Sequence, residues 1–263
     1  MNKDYDFDQI ELYDKQILVL RSDLHDQVDQ HMHSKAHILV VLDGMASLDV
    51  ERSQYVIPNG YFVWIPQRIM HRASFNGKKV SLLNIYFPND IKRDSLFDHL
   101  GVYPIPPILY HIIDMLKETT IVLGKDDWRF ELLNTTVHIL HHIIGNTFMT
   151  LRLPTSDNPV IRRIQDKIRE DYSRHVTLCS VSRTLGMSER TINRYMNREL
   201  GMSFTQYLRT YRIMIAIRKM TESNDNLSNI AFEVGYDSLV AFSNTFTKVT
   251  GIRPSQFFNE HKR

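Results

Sequence analysis

The 263-residue sequence has one cysteine, Cys179, so it has no intrachain disulfide and suits a reducing compartment. Long apolar runs are also missing. His37 to Leu42 and Ile139 to Ile144 fall well short of the roughly 18 residues that a membrane span needs. The first eight residues, Met1 to Asp8, are acidic and have no apolar stretch of the kind a secretory leader carries. A cytoplasmic chain without membrane contact is therefore expected. Hydrophobic residues make up 43% and charged residues 24%, which leaves material for a sizeable core.

The net charge of +2 hides an asymmetry. Met1 to Ser156 holds 15 Lys and Arg against 19 Asp and Glu, whereas Asp157 to Arg263 holds 17 against 11. The first part is thus net −4 and the second net +6, the pattern expected when one half meets phosphates and the other does not. Ten of the twelve histidines lie in the first part.

Residues 12 to about 90 read as β-structure. Ile17 to Leu20, His37 to Leu42, Ala46 to Val50, Tyr61 to Ile65 and Val80 to Phe87 are short runs rich in β-branched and aromatic residues. Asp43-Gly44, Pro58-Asn59-Gly60, Pro66 and Asn76-Gly77 supply turns between them. Such spacing predicts a small sandwich or barrel. After the break at Pro104 to Pro107, the period becomes helical. Ile108, Ile112, Met115 and Leu116 are expected on one face, and a second helix runs over Asp126 to Asn146. In that helix Phe130, Leu133, Val137, Leu140 and Ile144 form an a/d seam, open to two readings: a contact between two copies of the chain, or packing on the sheet. Leu153 to Pro159, with two prolines and small polar residues, reads as a linker.

From Val160 onward the pattern is helical and one unit occurs twice. Leu178 to Leu185 forms a short helix, Gly186-Met187 a tight turn, and Ser188 caps a helix reaching about Leu200. Leu227 to Val234, then Gly235-Tyr236-Asp237, then a helix from Ser238 to about Thr250 repeat the arrangement. A helix, a glycine-containing turn and a second helix make a helix-turn-helix, whose second helix enters the DNA major groove. Phe204, Tyr207, Leu208, Tyr211 and Ile215 mark an amphipathic helix joining the two copies.

On these residues the sequence resembles AraC/XylS-type transcriptional regulators over about Val160 to Phe258. The resemblance is carried by Leu185-Gly186-Met187-Ser188, Glu199 to Phe204, Tyr207-Leu208 and Arg212 with Ala216. In the second unit it is carried by Ile230-Ala231, Val234 to Ser238, Phe242-Ser243, Phe246 and Gly251 to Phe257. It implies double-stranded DNA as a partner, a small-molecule or metal effector, RNA polymerase as a further partner, and a homodimer acting as activator or repressor. Helical geometry puts Ile192, Tyr195 and Met196 inside and Glu189, Arg190, Asn193, Arg194 and Asn197 outside. The family makes base contacts at the positions of Arg190, Asn193 and Arg194, and Arg and Asn suit bidentate readout of guanine and adenine. On the second helix the outward residues are Leu239, Val240, Ser243 and Asn244. Leu239 and Val240 cannot hydrogen-bond a base, so this unit is expected to hold phosphates through its N-terminus and Lys248.

His31-Met32-His33, His37, Gly44, Gly60, Pro66 and His71 follow a spacing that resembles both cupin motifs. The resemblance implies a small cupin-like sensor barrel and four imidazoles, His31, His33, His37 and His71, which suit a divalent transition metal as cofactor. Arg68 stands where that motif has glycine, and Phe75 where it usually has asparagine. A metal-free pocket for an organic effector is the other reading of the cluster.

The expectation is thus an α+β chain. A cupin-like β-barrel with flanking helices spans 1–152, a linker 153–159, and an all-α double helix-turn-helix domain 160–263. The alternative is a cupin metalloenzyme with an appended DNA-binding module. Four histidines without a placed carboxylate make a poor catalytic site, so no enzyme activity is expected.

Overall fold

The computed structural model describes residues 10–25, 27–75, 79–90, 98–144, 151–174, 176–223 and 225–261. The described residues form two units. One comprises those up to Glu51 and from Tyr55 to Ile144, the other Arg52–Gln54 and those from Leu151 on.

The first unit is mostly antiparallel sheet. Its strands are β1 (Ile17–Leu24), β2 (Ala36–Asp43), β3 (Met45–Val50), β4 (Ser53–Pro58), β5 (Tyr61–Ile65), β6 (His71–Ser74), β7 (Val80–Phe87), β8 (Gly101–Pro104) and β9 (Ile121–Leu123). Six of them order as β8-β5-β2-β7-β1-β9, while β4, β3 and β6 are neighbours in a second sheet. The helices α1 (Pro107–Leu116) and α2 (Trp128–Ile144) flank β9 in the chain.

Period-two alternation explains the layering. In β2 and β7, Ala36, Ile38, Val40, Leu83, Ile85 and Phe87 point to one face and join a core with Phe62, Trp64 and both helices. The intervening His37, Leu39, Leu82, Asn84 and Tyr86 point to the opposite face, where they line a cavity also bordered by His71 and Ala73 of β6. The larger sheet is therefore covered on both faces, and every residue of β7 is buried.

One sequence expectation needs correction, and one that was left open is resolved. The buried stripe of α1 is Leu109, Ile112, Ile113 and Leu116, while Ile108 and Met115 are exposed. The i, i+3, i+4, i+7 set starts one residue later than expected, because Leu109 belongs to the core and the apolar residues beside it do not. The seam of α2 is not open to a second copy of the chain. Phe130, Leu133, Val137 and Leu140 are all buried in the core over the sheet. The Ile144 side chain, the helix end at 145–146 and the Asn76-Gly77 turn lie outside the described residues.

The second unit is helical: α3 (Pro159–Asp171), α4 (Leu178–Leu185), α5 (Glu189–Leu200), α6 (Phe204–Glu222), α7 (Leu227–Glu233), α8 (Leu239–Thr250) and α9 (Pro254–His261). A short strand, β10 (Arg152–Pro154), lies partly within the stretch read as a linker. Asn158 caps α3 by accepting from the Val160 amide, with Pro159 in the first turn where its missing N–H costs nothing.

Leu133→Ala should lower stability by about 2–5 kcal/mol, the range for emptying a filled core position. Urea unfolding checks this, and a loss below about 1 kcal/mol would return the seam to the surface.

Candidate functional site: recognition helices and a histidine cavity

The two helix-turn-helix copies share one frame shifted by fifty residues, since α5 begins at Glu189 and α8 at Leu239. Ser188 caps α5 by accepting from the Thr191 amide, and Ser238 caps α8 by accepting from Ala241. Ile192, Met196 and Leu200 are buried in the first, Phe242, Phe246 and Thr250 in the second. The frame continues past the motif: left-handed Gly201 and Gly251 end the two helices, and α6 and α9 start three residues later.

This frame fixes what each recognition helix presents. On α5, Arg190, Arg194 and Asn197 are exposed, and neither arginine forms an ion pair with a described residue. Tyr195, expected inside, is only half-buried, with the Arg198 guanidinium 5.0 Å from its ring centre. Asn193 is half-buried because its Oδ1 accepts from the Phe204 amide at 3.2 Å and so helps start α6. Sequence reasoning missed this second task, since the partner amide lies eleven residues on, across a turn. On α8, Leu239, Val240, Asn244 and Lys248 are exposed and Ser243 is half-buried. Equivalent positions thus carry Arg190 and Val240, Arg194 and Asn244, Arg198 and Lys248.

The joining helix α6 is held by its own cap and by buried contacts. Ser203 and Gln206 form a capping box. Tyr207 is buried, its hydroxyl accepts from Gln165 Nε2 at 3.1 Å, and burial pushes that phenol up to about 12. Arg212 also serves a structural role that sequence did not reveal. Its guanidinium donates to the carbonyls of Tyr172 and Arg174, both at 2.8 Å, and lies 5.7 Å from the Tyr236 ring centre. One side chain thereby ties the end of α3 to the turn of the second helix-turn-helix.

In the first unit the structure brings all four predicted histidines together. Ring centres are 4.2 Å apart for His31 and His71, 4.8 Å for His33 and His37, and 5.2 Å for His33 and His71. His31 and His71 pair through reciprocal backbone hydrogen bonds of 3.0 and 2.9 Å. His37 sits in β2 opposite Tyr86 of β7 and stacks on its ring at 4.7 Å. The nitrogens of His31, His33 and His71 lie within 4.8 Å of one another, a set to which His37 does not belong.

Three of the rings are oriented by their own loops. The Nδ1 of His31 donates to the Asp29 carbonyl at 2.8 Å, that of His33 to Lys35 at 2.7 Å, and that of His71 to Ile69 at 2.8 Å. A carbonyl only accepts, so the proton sits on Nδ1 and the neutral ring keeps its lone pair on Nε2. Burial, reinforced by the neighbouring imidazoles, pushes His33 down to about 4 and His71 to about 3, and holds His37 well below the usual imidazole range. All four rings are neutral at physiological pH. Arg68, at the motif's glycine position, has φ of +57° and donates its amide to the His33 carbonyl at 3.0 Å. The backbone there keeps the left-handed form that glycine would adopt freely.

Two DNA-reading motifs on one helical frame, in the same chain as a domain with a small cavity, define the class: a DNA-binding regulator with a ligand-binding half. The chain belongs to the AraC family. The AraC-like ligand binding domain matches residues 16–114 and the family's helix-turn-helix domain residues 181–260. It is similar to the HTH-type transcriptional regulator NimR of Escherichia coli, 23% identical across 86% of this chain and 81% of that protein. An AraC-like transcription regulator of Streptomyces lividans is 30% identical over 38% of this chain and 33% of its own length. Among solved structures, the C-terminal domain of the response regulator AraT from Geobacillus stearothermophilus is 31% identical, with 40% of this chain and 88% of that one covered and a TM-score of 0.39. ToxT from Vibrio cholerae is 13% identical, with 95% and 100% covered and a TM-score of 0.40. The chain is a DNA-binding transcriptional regulator with a ligand-binding domain, and no enzyme is implied by these relatives. No described helix is long and apolar enough to cross a membrane.

The two turn glycines should respond differently to alanine. A Cβ on Gly235, at φ +89°, would meet the Tyr172 carbonyl and Arg212 at 2.7 Å, whereas one on Gly186, at φ +64°, meets nothing within 4 Å. Gly186→Ala should cost about 1 kcal/mol for the left-handed backbone alone, and Gly235→Ala clearly more. Urea unfolding followed by far-UV circular dichroism reads the difference. Equal losses would contradict the close approach at Gly235.

Proposed function

We propose that the chain is a sequence-specific regulator in which the first helix-turn-helix reads bases and the second chiefly holds the DNA backbone. A ligand received in the histidine cavity controls that binding. The observation that carries this is the unequal chemistry of equivalent positions. Arg190 and Arg194 offer forked donors that match guanine O6 and N7, where the second unit has Val240 and Asn244. Val240 suits a thymine methyl group at most, leaving Ser243, Asn244, Lys248 and the capped start of α8 for phosphates.

Asn193 and Asn197 have smaller parts in this reading. Asn193 spends its side-chain Oδ1 on the Phe204 amide and keeps only its side-chain amide hydrogens for DNA. Asn197 donates back to the Asn193 carbonyl at 2.9 Å, a bond it can exchange for a base or phosphate contact. The net +6 of the C-terminal residues supplies the sequence-independent attraction.

Two substitutions separate the roles. Arg194→Ala should lose about 1–3 kcal/mol against the selected operator and much less against random DNA. Lys248→Ala should weaken both alike and reduce the slope of log affinity against log salt by about 1. Fluorescence anisotropy across a salt series measures both. An Arg194→Ala protein that binds its operator as tightly as wild type would overturn the assignment of base readout to α5.

A further inference from the structure

We infer that Asn193 of the first recognition helix reads guanine in the operator, through side-chain N–H bonds to O6 and N7, and does not read adenine. This rests on the reading of α5 as the base-contacting helix and names what one of its residues selects.

Asparagine pairs with adenine by using both ends of its amide: Nδ2 donates to N7, and Oδ1 accepts from the N6 amino group. The structure takes away the second half of that pairing. Oδ1 of Asn193 accepts from the backbone amide of Phe204 at 3.2 Å. Phe204 is the first residue of α6, so its N–H has no partner within that helix. The capping box of Ser203 and Gln206 leaves this N–H unserved, since it satisfies the amides of those two residues. A backbone N–H can only donate, so the atom facing it is the oxygen and the side-chain amide has one orientation.

What remains for DNA is the Nδ2 group, which bonds to no described residue. Arg190, Asn193, Arg194 and Asn197 follow the i, i+3, i+4, i+7 spacing of one helix face, which sets Asn193 among the exposed arginines. Arginine carries donors only. Deprived of its acceptor, Asn193 joins them, and the side chains at 190, 193 and 194 all offer hydrogen bonds and accept none. Guanine alone shows two adjacent acceptors in the major groove. Thymine shows one beside a methyl group, adenine sets its N6 donor next to N7, and cytosine shows a donor. One nitrogen with several hydrogens can serve both guanine acceptors, as lysine does.

The second unit lacks this device. In the frame shifted by fifty residues, Ser243 stands for Asn193 and Pro254 for Phe204, and proline has no N–H to satisfy. The constraint on the amide therefore belongs to the junction between α5 and α6.

The test is selection of DNA from a random pool by the full chain and by its Asn193→Asp, Asn193→Ala and Arg194→Ala variants. Asn193→Asp keeps an oxygen for the Phe204 amide and turns an acceptor towards the base. It should fold like wild type and shift one operator position from guanine towards cytosine, whose N4 amino group suits a carboxylate. Asn193→Ala should lower the thermal midpoint by about 2–4 °C and lose preference at that same position. In the wild-type complex, 7-deazaguanine placed there should weaken binding by about 5-fold or more, the scale of one lost base contact, and should leave Asn193→Asp unaffected. A wild-type base other than guanine at the position that Asn193→Asp alters would overturn the proposal. So would an Asn193→Asp protein that selects the wild-type operator while Arg194→Ala does not: α5 would still read bases, with Asn193 confined to holding Phe204. If neither substitution changes the selected sequence, the reading of α5 falls and this inference with it.

Discussion

Strand β7 has no solvent face, and the architecture of the N-terminal unit follows from that constraint. Leu83, Ile85 and Phe87 need an apolar cover, which α1 and α2 provide; Leu82, Asn84 and Tyr86 need another on the opposite side. A second sheet facing the first leaves little room between them, and the polar groups caught there must satisfy one another. The histidines meet because β2, β6 and the bridged segment before β2 all border that gap. The apolar walls then keep the rings neutral, and neutral rings are the form in which imidazole donates an electron pair.

The C-terminal unit depends on smaller, repeated devices. A serine cap at each recognition-helix start and a left-handed glycine at each end set the length and direction of α5 and α8. The interior positions are then fixed, and the surface positions can differ between the two units without disturbing them. That freedom is visible in the contrast between Arg190 with Arg194 and Val240 with Asn244. The buried Lys35 plays a comparable part in the first unit. It donates to the carbonyls of Tyr13 and Gln16 and so ties the segment before β1 to the start of β2.

Local signals in the sequence were legible and distant ones were not. α4 and α5 fall where Ser188, Gly186 and the apolar period placed them, because caps and turns act over three or four residues. β5 and β7 likewise coincide with apolar runs closed by turn residues. β6 was missed: His71-Arg72-Ala73-Ser74 is short and polar, and becomes a strand only through its pairing with β3. The α2 seam has a period that fits a sheet or a second helix equally, so only the fold decides its partner. For the cavity, the residue types and spacing gathered four histidines correctly. The separation of three ligand candidates from His37 needed ring positions that no spacing encodes. The Asn193 and Arg212 contacts span eleven and about forty residues, beyond the reach of any pattern.

The unbroken course of α6 also fixes a phase. Its 19 residues span about 28 Å at 1.5 Å each, and each residue turns the helix by about 100°. The second recognition helix is carried at the far end of that screw, anchored by buried side chains and by the Arg212 clasp. A single residue inserted into α6 would advance the second unit by only about 1.5 Å but swing its DNA-facing side about 100° out of line with the first. The interval between the two DNA-reading helices is thus governed by rotation far more than by length, and tolerates substitution along α6 much better than insertion or deletion.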